Sequence, residues 1–278
     1  MHSNRTINPD LFTVFCSLYN YFMMRNSTLL LALLLLCAVT LSAKERQFYQ
    51  IKIYHLKTAT QETLVDNYLE KAYLPALHRA GIKQAGVFKP VVADTADIRI
   101  YVLIPYQSLD QFAQLNQTLQ TDKALAANGA EYTDAPWNNI PYVRIESILL
   151  QAFPGMPVLE APSLQSPKSE RVYELRSYES PTEKYHVNKV KMFNTGDEIG
   201  IFKSLHFNAV FYASVISGPR MPNLMYMTTF NNKEDRDAHW KAFGADPKWK
   251  SLSAQEEYAH NVSKSEITFL RPTNYSDL

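Results

Sequence analysis

A glutamate, an arginine and a tyrosine alternate along one short β-rich stretch, Tyr173-Glu174-Leu175-Arg176-Ser177-Tyr178. Period-two alternation puts Glu174, Arg176 and Tyr178 on one face of a strand and Tyr173, Leu175 and Ser177 on the other. An earlier stretch repeats the pattern with Gln50, Lys52 and Tyr54. If the apolar faces pack on helices, both polar faces look into one space between the two stretches. A cation and a tyrosine from each would then line an anion-accepting, aromatic-walled pocket. The competing reading is structural, an Arg176–Glu174 network with packed tyrosines filling the interface. His206 stands between a helical segment and a strand that carries Tyr212. It could shuttle a proton or serve as an axial ligand; the alternative is a hydrogen-bonded edge residue. The candidate ligand pocket is therefore Lys52, Tyr54, Glu174, Arg176, Tyr178, His206 and Tyr212, with no assignable catalytic residue.

Other chemistries find no support in the residue pattern. The seven histidines (2, 55, 78, 186, 206, 239 and 260) show no His-x-x-x-His or His-x-His spacing, so no metal site is expected. There is no Gly-rich phosphate loop and no nucleophile elbow. Lys and Arg number 28 against 27 Asp and Glu, for a net charge of +1. No basic field or charge run points to nucleic acid or to a polybasic membrane patch. Asp246 reads as a helix cap rather than an acid catalyst. Arg220, after Gly218-Pro219, reads equally as a ligand-closing residue or a solvated loop.

The elements that would position these residues form a repeat. Tyr49 falls on Tyr173, Lys52 on Arg176, Tyr54 on Tyr178, Tyr106 on Phe230, Asp122 on Asp246 and Ile145 on Phe269, all at an offset of 124. A period this long marks tandem domains rather than a solenoid. The first unit spans 46–150. It reads as a strand, a helix with Leu64, Val65, Tyr68, Leu69, Ala72 and Leu77 at helical spacing, two strands, a helix from Leu109 with a shorter one behind it, and a closing strand. Residues 151–169 form a Pro-rich linker. The second unit, 170–272, repeats the order, with helix starts expected at Ser180-Pro181, Asn232 and Asp246-Pro247. Each unit is βαββαβ, the ferredoxin-like arrangement, with one sheet face left uncovered. Two such faces closing on each other would bury both. The fold class is thus α+β: two tandem ferredoxin-like units closed into a barrel-like intramolecular pseudo-dimer.

The run Asn223-Leu224-Met225-Tyr226-Met227-Thr228-Thr229-Phe230, then Arg236, His239-Trp240-Lys241-Ala242-Phe243 and Asp246-Pro247-Lys248-Trp249, resembles the C-terminal signature of the NIPSNAP family. The opening Tyr173 to Tyr178 resembles that family too. In the first unit Trp240 becomes Asn116, Trp249 becomes Leu125 and Pro247 becomes Lys123, so that unit is a degenerate copy. The resemblance implies a dimeric α/β-barrel. That superfamily includes monooxygenases, isomerases and haem-handling proteins, so fold alone chooses no reaction. His239, Trp240 and Trp249 are expected to pack helices onto the sheet.

Met24 to Thr28, the apolar run to Thr40 and the small residues ending at Ala43 read as a secretory signal, with translation expected to start at Met23 or Met24. An uncleaved anchor is the alternative, although the run falls short of the ~20 residues of a membrane span. Cys16 and Cys37 both precede the cut, so a cleaved chain carries no disulfide and no thiolate. The reading of function is an exported NIPSNAP-domain protein that works as a small-molecule binding or assembly module. The alternative is a cofactor-free monooxygenase- or isomerase-like enzyme, or a haem-handling one, acting on a small apolar substrate in the barrel. No cofactor is predicted, haem stays open, and a homo-oligomer is compatible with the chain. N-terminal sequencing of exported protein is expected to begin at or near Lys44; mature protein that retains Met1 would end the export reading.

Overall fold

In a computed structural model of the protein, the structure describes residues 45–278. The expected export segment, its cut at Ala43 and both cysteines lie outside the described residues. The first half consists of β1 (Phe48–Leu56), α1 (Ala59–Tyr68), a π-helical turn (Leu69–Tyr73), α2 (Leu74–Arg79), β2 (Gly86–Pro90), β3 (Ile98–Tyr106), α3 (Leu109–Gln120), α4 (Lys123–Thr133) and β4 (Arg144–Ala152). The second consists of β5 (Val172–Glu179), α5 (Glu183–Asn194), α6 (Glu198–Ser204), β6 (Asn208–Ser217), β7 (Asn223–Phe230), α7 (Lys233–Ala245), α8 (Pro247–Ser253), a 3-10 turn (Glu256–Tyr258) and β8 (Lys264–Pro272).

The eight strands close into one barrel in the order β1-β3-β2-β8-β5-β7-β6-β4. Every neighbouring pair is antiparallel. Within each half the order is fourth, first, third, second. The halves join where β2 meets β8 and β4 meets β6. Inward side chains of both halves share one apolar core that includes Tyr49, Ile51, Phe88, Tyr173, Leu175, Phe211 and Leu270. Tyr49 packs on Phe211 at 5.2 Å between ring centroids and Phe88 on Tyr173 at 4.9 Å, so aromatic contacts cross between the halves. The helices of each half cover the outer face of its own sheet and form two further cores.

Capping decides where the helices begin. Thr58 Oγ1 accepts from the Gln61 amide at 3.1 Å, Asn232 Oδ1 from Asp235 at 2.8 Å and Asp246 Oδ1 from Trp249 at 3.0 Å; each satisfies an amide that lacks an intrahelical partner. The expected start at Ser180 is corrected. α5 begins two residues later, with Thr182 in the cap position, and the Ser180 hydroxyl is buried without a partner.

The constant offset is corrected as well. Phe48 opposes Tyr106 as Val172 opposes Phe230, which keeps 124 for the first and third strands. At the end of the second helix, Gly81 and His206 hold the same position. Each donates its amide three residues back, to His78 and Lys203, and each has left-handed backbone, φ 89° and φ 60°. The offset there is 125, so His206 corresponds to Gly81 and not to Ile82. The extra residue enters where the continuous π-helical turn of the first half becomes a chain break at Thr195–Asp197. At the last strand Tyr54 opposes Ile145 and Tyr178 opposes Ser265. Ile145 therefore matches Ser265 rather than Phe269. The difference arises because α8 has 7 residues where α4 has 11, one helical turn less.

His206 is thereby explained as a helix-ending residue with an exposed side chain. A non-glycine residue in left-handed backbone costs about 1–2 kcal/mol. His206→Gly should therefore leave stability within about 1 kcal/mol of wild type, the strain relieved being offset by the entropy of the added glycine. Urea denaturation checks this; a loss of several kcal/mol would show that the imidazole holds something in place.

Candidate functional site

The polar faces of β1 and β5 do not look into the barrel. Tyr173 and Leu175 point inward with Tyr49, Ile51 and Ile53. Glu174, Arg176 and Tyr178 lie instead between the sheet and the helices of the second half, and Lys52 and Tyr54 lie in the same layer of the first. The expected shared pocket is corrected to two separate layers. Alternation identifies two faces but not which one turns inward. Here the barrel interior is apolar, and the helices carry the charges that complement the polar face.

In the second half these charges form a connected network. Glu174 is fully buried. Its Oε1 accepts from Arg176 Nε at 2.6 Å and from an Arg236 terminal nitrogen at 3.0 Å. Its Oε2 accepts from Arg236 Nε at 2.7 Å and Trp240 Nε1 at 2.9 Å. Arg176 lies over the Trp240 ring, 3.6 Å from its centroid, and donates to the Tyr178 hydroxyl at 2.8 Å, which is hydrogen-bonded to the Tyr226 hydroxyl at 3.0 Å. Burial opposes the Arg176 charge, yet Tyr226, Tyr178 and Glu174 together hold its pKa above the ordinary value. Such charge-assisted bonds and the stacked guanidinium are what make a buried carboxylate tolerable.

A second ion pair lies beside it. Lys189 of α5 donates to Glu198 of α6 at 3.0 Å, and the two side chains are 7% and 3% exposed. Lys189 Nζ sits 4.8 Å from the Phe193 ring centroid and 6.0 Å from that of Trp249. Burial pushes the Glu198 carboxyl up, against the opposing pull of Lys189 and Arg176. Burial likewise raises Tyr212 and Tyr226, and the Glu198 charge adds to both. Of the expected site residues, Glu174, Arg176, Tyr178 and Tyr212 thus come together. Lys52 and Tyr54 are in the other half, where Lys52 Nζ lies 3.5 Å from the Tyr73 hydroxyl. His206 is on the surface.

Lys189, Glu198 and Arg236 were not among the expected site residues. Lys189 had a signal: at an offset of 124 it replaces Val65, a core position of the first helix. Glu198 was hidden by the one-residue slip, which makes its counterpart Tyr73 and not Leu74. The slip likewise makes Val87 the counterpart of Tyr212. Val102 stands for Tyr226 and Phe112 for Arg236. The first half therefore builds the same layer largely from apolar residues.

Barrel closure creates another polar group at one end. His55 stands between Asp97 at 2.9 Å and Glu146 at 3.3 Å. His55 and Glu146 border a cavity of about 90 Å³ that Arg99, Arg220 and Glu266 also line, and Asp97 stands behind His55. The side chains of His55, Asp97 and Glu146 are 18%, 31% and 41% exposed, so water stabilises them and their presence demands no ligand. Among the described residues no group of three or more His, Cys, Asp or Glu side chains could hold a metal ion, and no helix is long and apolar enough to cross a membrane.

The network gathers Glu174, Arg176, Tyr226, Arg236, Trp240 and Trp249 from one continuous part of the chain. Residues 173–277 match the NIPSNAP family model. The NIPSNAP match covers the second half of the barrel, the half with the buried charges. No curated protein matches the chain. Among solved structures, the chain is similar to a candidate monooxygenase from Lactobacillus acidophilus, at 12% identity over 82% of this chain and 94% of that one, with a TM-score of 0.54. A candidate monooxygenase from Fusobacterium nucleatum shows 8% identity over 82% and 93%, also with a TM-score of 0.54. At such identities the likeness is one of fold.

Removing one partner from a buried ion pair costs about 3–5 kcal/mol, whereas replacing both by apolar residues is often neutral or stabilising. Lys189→Met should therefore be strongly destabilising at neutral pH, and Lys189→Met/Glu198→Leu much less so. The folded state also keeps the Glu198 proton to higher pH than the unfolded chain. Its contribution is thus fully present below about pH 4.5 and is lost as pH rises through the raised folded value. Denaturant titrations at several pH values should show this decline in wild type and a flatter profile in Glu198→Gln; parallel profiles would count against a raised Glu198.

Proposed function

We propose that the protein is an exported small-molecule binding module, two ferredoxin-like units closed on each other, with its ligand site between sheet and helices of the NIPSNAP-type second unit. One observation carries the reading. The second unit buries Glu174, Lys189 and Glu198 and half-buries Arg176 and Arg236 in this layer, where the first unit, with the same strand order, has Gln50, Val65, Tyr73, Lys52 and Phe112. Buried ion pairs are no better for stability than well-packed apolar residues. The first unit is an internal control, since the fold forms without the full charge set. Charge kept under that cost is better explained by a site than by the scaffold. Export is supported by the segment from Met24 to Ala43.

The Lys189–Glu198 pair beside Tyr212 and Tyr226 could also move protons, which favours a second reading, a cofactor-free monooxygenase- or isomerase-like enzyme using the same layer.

The test is native mass spectrometry and absorbance of purified protein, wild type against Lys189→Met/Glu198→Leu and against Lys52→Met. A co-purifying small molecule that is lost in the double variant, retained in Lys52→Met, and accompanied by unchanged circular dichroism is the expected result. Loss in Lys52→Met alone would move the site to the first unit, and retention in both would remove it from these layers.

A further inference from the structure

We infer that the second-unit site takes an aromatic or apolar carboxylate, and that Glu198, carried on the short helix α6, occupies the carboxylate position on Lys189 until such a ligand replaces it. The inference rests on the binding-module reading and adds the chemical class of the ligand.

The charges in the layer divide unequally. Both oxygens of Glu174 are taken by Arg176, Arg236 and Trp240. The remaining cation, Lys189, has Glu198 and the weakly accepting Met192 sulfur at 3.3 Å as its partners. With Glu198 withdrawn, the layer holds three cations against one saturated carboxylate. A buried ammonium without an anion is costly, so the vacated place selects for a carboxylate. The Phe193, Tyr178 and Trp249 ring centroids lie 4.8, 5.9 and 6.0 Å from Lys189 Nζ, and Phe202, Tyr212 and Tyr226 belong to the same core, which suits an apolar or aromatic body behind the charge.

Glu198 is attached in a way that permits withdrawal. It is the first residue of a seven-residue helix. The preceding break contains Gly196 and the left-handed Asp197, φ 64°. A side chain at Gly196 would meet the Met192 carbonyl oxygen at 2.6 Å, so the turn requires glycine. The first unit runs through this region as a π-helical turn into α2, without a break and with Tyr73 in the Glu198 place. Neither the break nor the carboxylate is demanded by the fold. A cavity of about 410 Å³, lined by Gly196, Asp197, Ile201, Pro247, Lys248 and Leu252, borders the break. It gives α6 room to shift on its outer side. A short helix with a left-handed joint is the kind of segment that opens at low free energy.

The probes are 4-methylbenzoate and its neutral near-isostere 4-methylbenzamide, titrated by calorimetry into wild type, Glu198→Gln and Glu198→Gln/Lys189→Met. Glu198→Gln is expected to bind 4-methylbenzoate about tenfold more tightly than wild type, because the internal competitor has lost its charge. The amide should gain nothing, and the double variant should lose the carboxylate preference. Equal affinity for acid and amide in Glu198→Gln would overturn the carboxylate inference and leave the binding-module reading intact, since that reading is tested separately by the co-purifying molecule. No binding of either probe by any variant would overturn the inference as well. Hydrogen exchange on wild type guards against misfolding of the variants. Saturating 4-methylbenzoate should increase exchange over 198–204 and leave 74–79 unchanged. Unchanged or slowed exchange over 198–204 would refute displacement of α6.

Discussion

Closure of the sheet is the constraint from which the remaining structure follows. An open four-stranded sheet presents two edges with unpaired amides and carbonyls, and one apolar face to water. Pairing β2 with β8 and β4 with β6 removes all four edges in one step. Inward positions are thereby reserved for residues that can live without water, and Tyr49, Ile51, Phe88, Tyr173, Leu175 and Phe211 fill them. The polar outward face of β5 is then met by the helices, through Arg236 and Trp240. The position of the charged network under α5, α6 and α7 is a direct result of the barrel interior being apolar.

Much of this architecture was legible in the sequence. The alternating strands, the caps at Thr58, Asn232 and Asp246, and the internal repeat all rest on local chemistry, and all correspond to elements of the structure. The direction in which β1 and β5 face was not legible. Alternation is symmetric between the two faces, and nothing local to β1 or β5 says which of them the helices cover. Only the partners far along the chain, Arg236 and Trp240 for Glu174, break that symmetry. The role of His206 was obscured by a slip of one residue, which moved its counterpart from a glycine that explains it to an isoleucine that does not. Glu198 was lost to the same slip. Lys189 was visible as a lysine in an apolar stripe, yet its partner lies across a helix break that periodicity does not resolve.

Comparing the two halves converts an ambiguous observation into a directional one. A buried, fully hydrogen-bonded carboxylate such as Glu174 is equally at home in a scaffold or in a site. What distinguishes the cases is whether the same layer can be built without it. Val65, Val87, Val102 and Phe112 show that it can, in the same chain and under the same topology. Charge in the second half is therefore a choice that the fold leaves free. The Arg176–Trp240 stacking and the Lys189–Glu198 pair belong together in that respect, each using a residue that the first half has exchanged for a smaller or less polar one.

Joining both halves in one polypeptide has a consequence for how the molecule responds to its surroundings. A barrel assembled from two separate chains falls apart on dilution, because its folding equilibrium contains a concentration term. Here the partner is supplied at fixed local concentration by the segment of 19 residues from Phe153 to Arg171 that connects β4 to β5, and the closure is unimolecular. The barrel therefore keeps its shape at any dilution. It also carries one charged layer, not a symmetric pair, so the two halves of the closed barrel are chemically unequal.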